Sequence, residues 1–363
     1  MTIPGRPTAA PLIAITCGDP AGIGPEVVCL AWAEAAAHRR GRLRVYGDPA
    51  VLEAVLASRR GMPRLAIEAV AGDDPRPSRP ESMLVVDAGG RRDEVPPGRP
   101  SAAGGAAAAR AVEAAFAAVH ADRADAIVTG PLHKEALHAA GYDVPGHTEL
   151  LARACGLPDA AASMMLWLPG AAAGAGLGVV HATLHEPLRS AIVRLTPDLI
   201  ESAGRRLATL LAALVGRRPT IAVAALNPHG GEGGLFGDEE TRIVAPAVAR
   251  LAAAGIDVAG PLPADTLFLR ASRGEFDGVV ALYHDQGHIP VKLLGMHRAV
   301  NITLGLPLVR TSVAHGTAFD IVGRGLADPT SMRAAIDAAV SLVEAGGRRG
   351  LSASAPAPAP ASR

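Results

Sequence analysis

Aromatic side chains are scarce in this 363-residue chain: Phe, Trp and Tyr make up 3% of it, against 49% for hydrophobic residues as a whole. Its core must therefore be filled mainly by Ala, Val, Leu and Ile, with enough of them for one large or two ordinary domains. Cysteine is equally sparse. Cys17, Cys29 and Cys155 are the three present, and no C-x-x-C pair occurs, which argues against a disulfide framework and a cysteine-ligated zinc and favours a reducing compartment. Net charge is missing too: 35 basic residues balance 35 acidic ones without a long basic run, so neither nucleic acid nor an anionic membrane is an expected partner. The opening MTIPGRPTAAPLIAIT has one arginine and a short apolar run, and no stretch of about 18 apolar residues follows, so a signal peptide and a membrane span are not expected. A cytoplasmic protein with a small-molecule partner is the expectation. The last absence is a G-x-G-x-x-G after a strand with an acid about 20 residues on, which disfavours a Rossmann dinucleotide fold.

What is present is a series of short Val/Ile/Leu-rich runs: PLIAIT, RLRVYG, SMLVVDA, ADAIVTG, GLGVVHATL, TIAVAALNP, FDGVVALY and AVNITLG. They read as buried strands. Ala/Leu/Arg-rich stretches with helical spacing, such as AAAARAVEAAFAAVHA and DLIESAGRRLATLLAALV, lie between several of them. That alternation predicts an α/β protein with a mostly parallel sheet. From Ala71 to Gly105 the composition shifts to Asp, Pro, Arg and Gly, which predicts a long surface excursion, and the low-complexity tail GGRRGLSASAPAPAPASR predicts disorder.

Polar clusters follow the strand-like runs: GDPAGIGPE, TGPLHKEAL, HATLHEPLR, NPHGGEGG and YHDQGHIPVK. Ligands of open parallel sheets bind outside the carboxyl ends of strands, so these clusters can converge on one crevice. His185, His229 and His284 each stand at such an end, and three imidazoles with an open fourth position suit a catalytic divalent metal. Their separations fit no short ligand motif. Each could equally hydrogen-bond a loop carbonyl, and His181, His288, His297 and His315 compete for the same role. His147 and Thr148, at a helix-like start after a glycine, suit a phosphate or carboxylate and equally an N-cap. Lys292, Asn301 and Arg310 border apolar runs, where they could clamp an anion or be solvated. The loop HGTAFDIVGRGLADPTSM, with His315, Gly316, Thr317 and Asp320, has the glycine density of a backbone-lined nucleotide site and equally of a surface loop. Glu232 and the acids from Asp238 to Glu240 read as solvated or supporting groups.

Taken in order, GDPAGIGPE, TGPLHKEALHAAGYDVPGHTELLA, LNPHGGEGG, YHDQGHIPVK, VNITLGLPLVRTSVAHGTAFDI and GRG resemble the 4-hydroxythreonine-4-phosphate dehydrogenase family of pyridoxal phosphate biosynthesis. The resemblance covers nearly all of the chain outside the tail and the Ala71 to Pro100 excursion. It implies a two-lobed isocitrate/isopropylmalate dehydrogenase-like fold, with residues 1–145 and 300–345 in the first lobe, 146–299 in the second and 346–363 as a disordered tail. It also implies His185, His229 and His284 as ligands of one divalent ion (Zn, Mg or Co), shared across a homodimer interface. His147, Thr148, Lys292, Asn301 and Arg310 would bind a small phosphorylated hydroxy acid, and His315, Gly316, Thr317 and Asp320 would bind NAD or NADP. Asp265 and Asp285 are candidate proton acceptors. The implied reaction oxidises 4-phosphohydroxy-L-threonine to a 2-amino-3-oxo acid phosphate, which decarboxylates to 3-amino-2-oxopropyl phosphate. HATLHEPLRSA and DQGHIPVKLLG look closer to a branch acting on D-threonate or D-erythronate 4-phosphate or on an aromatic cis-dihydrodiol. A phosphate acetyltransferase-like acyl transferase is the alternative of a different class.

Overall fold

The computed structural model describes residues 10–89, 95–158, 161–170 and 176–346. The segment expected to be a disordered tail lies outside the described residues apart from Gly346. The chain divides into two compact units, Met1–Asp159 with Leu308–Glu344, and Ala160–Pro307 with Ala345–Arg363. The division falls at Asp159 and Leu308, where the sequence placed it at 145 and 300.

In chain order the first unit contributes β1 (Leu12–Thr16), α1 (Gly24–Glu34), β2 (Arg42–Gly47), α2 (Pro49–Ser58), β3 (Ala66–Ala69), β4 (Ser82–Asp87), α3 (Ala102–His120), β5 (Ala126–Thr129), α4 (Lys134–Ala139) and α5 (His147–Ala154). The second contributes β6 (Ser163–Pro169), β7 (Gly176–His181), α6 (Leu188–Arg194), α7 (Pro197–Val215), β8 (Thr220–Ala224), α8 (Ala245–Ala253), β9 (Asp257–Leu262), α9 (Ala264–Ser272), β10 (Gly278–Ala281), α10 (His284–Gly295) and β11 (Val300–Leu304). The chain then returns to the first unit with β12 (Val309–Val313) and α11 (Thr330–Glu344).

Strand order in the first unit is β3-β4-β2-β1-β5-β12, every pair parallel. In the second unit it is β11-β6-β7-β10-β8-β9, where β6 pairs antiparallel with β11 and β7 and the remaining pairs are parallel. The expected α/β class with a mostly parallel sheet is thus found. Strands buried on both faces need unbroken apolar runs, which is why LIAIT and TIAVA read so clearly.

Within the Ala71–Gly105 segment, expected as a surface excursion, the strand expected from SMLVVDA is found in the sheet. Ser82–Asp87 is an inner strand between β3 and β2, and Met83 and Val85 are fully buried. The buried Arg44 guanidinium holds the preceding loop by donating to the carbonyls of Leu43, Asp74 and Arg76. The 19-residue α3 is apolar and long enough to cross a membrane by length and composition, which the sequence reading had not singled out. Its small residues instead pack onto neighbours: Gly104, Gly105, Ala108 and Ala109 are buried, and a Cβ on Gly105 would stand 2.0 Å from the Ala136 carbonyl oxygen of α4. Alanine and glycine here serve a close helix contact.

Candidate functional site

In the second unit the histidines at strand ends gather on the N-terminal turns of α10. His284 is its first residue, and its ring stacks on that of His288 one turn later, with centroids 3.7 Å apart and planes at 11°. His288 Nδ1 lies 3.1 Å from Nε2 of His181, the last residue of β7. His185, four residues past β7, has its ring centroid 5.8 Å from that of His284. Burial first, then the neighbouring His288 and His284, pushes His181 down to about 3. Burial followed by the His284 charge brings His288 to about 4. Both are neutral donors or acceptors at neutral pH.

Two imidazoles that share one cation through N–metal bonds of about 2.1 Å have centroids roughly 5 Å apart, so the His185–His284 separation fits a shared ion. His284 Nδ1–H donates to Asp285 Oδ1 at 2.6 Å, which leaves Nε2 as the nitrogen for an outside ligand. His229 lies on the loop that follows β8. It is exposed in the turn Pro228–Gly234, and among the described residues no group of three or more His, Cys, Asp or Glu is arranged to hold a metal ion. A single copy of the chain therefore supplies a fitting pair and not a complete ligand set.

The turn carrying His229 is locally strained. His229, Gly230, Gly231, Glu232 and Gly233 have φ of 53°, 68°, 80°, 46° and 66°, five consecutive residues in the left-handed region. For L-residues this conformation costs about 1–2 kcal/mol each, while glycine adopts it freely. Glu240 holds the turn's entry. Its Oε1 accepts the backbone N–H groups of Leu226 and Asn227 at 2.8 and 2.7 Å, and its Oε2 accepts from Asn227 Nδ2 at 2.9 Å. Burial works to raise the Glu240 carboxyl, but the hydrogen bonds from Asn227 and Leu226 outweigh it and hold the group below its ordinary value. Glu240 is therefore buried and bonded, the supporting one of the two expectations for these acids rather than the solvated one.

Of the other residues singled out in this unit, Lys292 is exposed on α10, where its charge acts on His288. Asn301 is half-buried in β11, with its Oδ1 shielded from solvent and unpartnered. Asp265 is exposed in the first turn of α9, and Asp285 is exposed beside His284.

The first unit holds a buried cationic group. Arg310 on β12 is 2% exposed, and its Nε and Nη2 donate to Thr129 Oγ1 at 3.2 and 2.6 Å. Burial lowers its guanidinium to about 10, against the opposing charge of Glu149. His147 opens α5 directly after Gly146; burial first and the Arg310 charge second hold it well below 6.5, and its Nε2 has no partner. A buried guanidinium, a neutral imidazole and the first turn of α5 with Thr148 suit a compact oxyanion.

In the same unit the loop expected to hold cofactor packs on the GDPAGIGPE loop. The Thr317 carbonyl accepts the Ile23 N–H at 2.9 Å, and a Cβ on Gly22 would meet Thr317. Buried Glu26 Oε1 accepts from Gly323 N–H at 2.9 Å and from Arg59 Nη1 at 2.7 Å. His315 Nδ1–H donates to the Gly316 carbonyl at 2.9 Å, while Gly316 and Asp320 are exposed. The sequence assigned no role to Asp19, Thr129 or His133. Asp19 is fully buried with an unpartnered Oδ2, and its carboxyl is raised, by burial above all. Its GDP setting hinted at a polar turn but not at its burial.

Comparison with known proteins places the chain in a family. Residues 40–339 match the family described as pyridoxal phosphate biosynthetic protein PdxA. A D-threonate 4-phosphate dehydrogenase of Cupriavidus necator is 46% identical over 328 residues, 90% of this chain and 95% of that protein. A 4-hydroxythreonine-4-phosphate dehydrogenase of Beijerinckia indica subsp. indica is 45% identical over 335 residues, 91% and 94% of the two chains. The crystal structure of 4-hydroxythreonine-4-phosphate dehydrogenase from Klebsiella pneumoniae is similar with a TM-score of 0.79 and 41% identity, covering 93% of this chain and 99% of that one. The chain belongs to the PdxA family of pyridoxal phosphate biosynthetic proteins.

Proposed function

We propose that this chain is a divalent-metal- and NAD(P)-dependent dehydrogenase of pyridoxal phosphate biosynthesis that oxidises the C3 hydroxyl of 4-phosphohydroxy-L-threonine. The coarser part, an oxidoreductase acting on the CH–OH group of a phosphorylated hydroxy acid, follows from its dehydrogenase relatives and sets the acyl-transfer alternative aside. The observation that carries the finer reading is the His185–His284 pair, spaced for a shared cation and with His284 Nδ1 already tied to Asp285.

His185, His229 and His284 are assigned to the metal, the set being completed when a second copy joins. Support for a homodimer comes from exposed apolar side chains on the elements next to these histidines: Leu188 and Val193 on α6, and Ile289 and Leu293 on α10, Leu293 being 82% exposed. When bound, the divalent ion would lower the pKa of the substrate alcohol and stabilise charge developing on its oxygen, while the nicotinamide accepts the hydride. The chain's own groups position the reactants. His147, Thr148 and Arg310 hold the phosphate, with Lys292 and Asn301 on the remaining polar groups of the acid. Glu240 fixes the turn that presents His229. His315, Gly316, Thr317 and Asp320 hold the dinucleotide. Asp285 or Asp265 accepts the alcohol proton. The oxidised product is a β-keto acid and loses carbon dioxide to leave 3-amino-2-oxopropyl phosphate. A cytoplasmic location accords with this chemistry.

A second reading, D-threonate 4-phosphate as substrate, is favoured by the 46% identity to the Cupriavidus necator enzyme. It changes only the C2 substituent, from amine to hydroxyl. NADH formation measured with 4-phosphohydroxy-L-threonine beside D-threonate and D-erythronate 4-phosphates decides between the two. Chelation should abolish turnover and an added divalent ion restore it, and His185→Ala should cost about 100-fold or more in kcat. Full turnover after the metal is removed would sink the metal assignment.

A further inference from the structure

Thr129 ends β5 and is fully buried. Across the first unit's sheet it stands in register with Thr16 of β1 on one side and Ser312 of β12 on the other. Residues in register on neighbouring strands share a sheet face, so three hydroxyl residues form a row at the carboxyl end of the strands. Arg310, two residues before Ser312, points to the same face, and its guanidinium reaches the row at Thr129 through Nε and Nη2.

We propose that Thr129 is a positioning residue for Arg310, setting the plane of its guanidinium toward the phosphate end of the substrate; the inference rests on the substrate reading given above. The guanidinium is a rigid planar fork of five N–H donors on a flexible stem. Two donors from one edge converging on a single oxygen fix both the plane and the direction in which the opposite edge points. The acceptor's chemistry matters as much as its place. A carboxylate at 129 would orient Arg310 and also cancel its charge, whereas a hydroxyl orients it and leaves the positive charge to act on an anion. Glu149, whose charge acts on Arg310, sits in the first turn of α5, while the Nε–Nη2 edge is held by Thr129.

The test compares Thr129→Val, which keeps the shape and loses the acceptor, with Thr129→Ser, which keeps the oxygen; Thr129→Cys, a weak acceptor of similar size, serves if the valine variant does not fold. Losing a hydrogen bond to a charged group should raise KM for the phosphorylated substrate by about 10- to 100-fold and leave kcat within about 3-fold. The inhibition constant of inorganic phosphate should rise in parallel, KM for NAD(P) should stay fixed, and Thr129→Ser should restore all three. Unchanged KM and phosphate inhibition in Thr129→Val, or a loss confined to kcat, would overturn the assignment. Wild-type enzyme that turns over the dephosphorylated acid equally well and ignores phosphate would instead defeat the substrate reading on which the inference rests.

Discussion

Glu240 shows what one buried carboxylate can impose on a loop. It ties two successive backbone N–H groups and the Asn227 side chain at the point where the chain enters the left-handed turn of His229. Without it those donors lose their acceptor while remaining partly shielded from water. Glu240→Ala should therefore destabilise the protein by about 2–3 kcal/mol and speed hydrogen exchange at the amides of Leu226 and Asn227, read by mass spectrometry. Unaltered exchange there would show that the turn holds itself. The sequence left this role open, because an acid in GDEE, thirteen residues from the asparagine it serves, reads equally as a solvated charge or a supporting group. His284 and Arg310 drew notice for the opposite reason: histidine and arginine beside strand-like apolar runs stand out against their neighbours. Residues whose importance lies in holding another residue, Thr129 among them, carried no such contrast.

Eight apolar runs marked eight strands, and the four that went unmarked, β3, β6, β9 and β12, each have a physical reason. β3 is half exposed and only four residues long, and β9 contains Gly-Pro. β6 is antiparallel on both sides and built from Met, Leu and Trp. β12 reads VRTSV, polar in its middle, yet all five residues are buried because Arg310 bonds Thr129 and Thr311 Oγ1 donates to the Ala335 carbonyl of α11. Burial there is satisfied by hydrogen bonds, which a hydropathy pattern cannot show. The helix α3 was legible as a helix, but the tightness of its contact with α4 was not. A methyl group on Gly105 has no room beside Ala136, so Gly105→Ala should cost about 1–3 kcal/mol in urea unfolding, despite alanine's higher helix propensity. An equal or higher urea midpoint would mean that α3 and α4 can part without penalty.

For the molecule as a whole, buried neutral histidines set the acid limit. His147 and His38 are both held below 6.5, burial being the first cause in each. Above pH 6.5 both the folded and the unfolded chain keep them neutral, and nothing is lost. As pH falls below that value the unfolded chain takes up protons that the folded chain refuses, so stability declines until the folded-state values are passed. The urea midpoint should drop between pH 6.5 and 5, with a shallower slope in His147→Asn; a flat profile, or an unchanged slope in the variant, would contradict this. Asp19 and Asp337, raised by burial, act in the opposite sense, favouring the fold more as pH falls toward 3.8. The first unit is also interrupted in sequence, since β12 and α11 follow the Ala160–Pro307 segment of the second unit. During synthesis the chain from Ala160 to Pro307 is completed while β5 still lacks its β12 neighbour. Arg310 arrives on that late strand, so a ribosome-bound chain would lack the buried guanidinium beside Thr129 until the whole Ala160–Pro307 segment had been made.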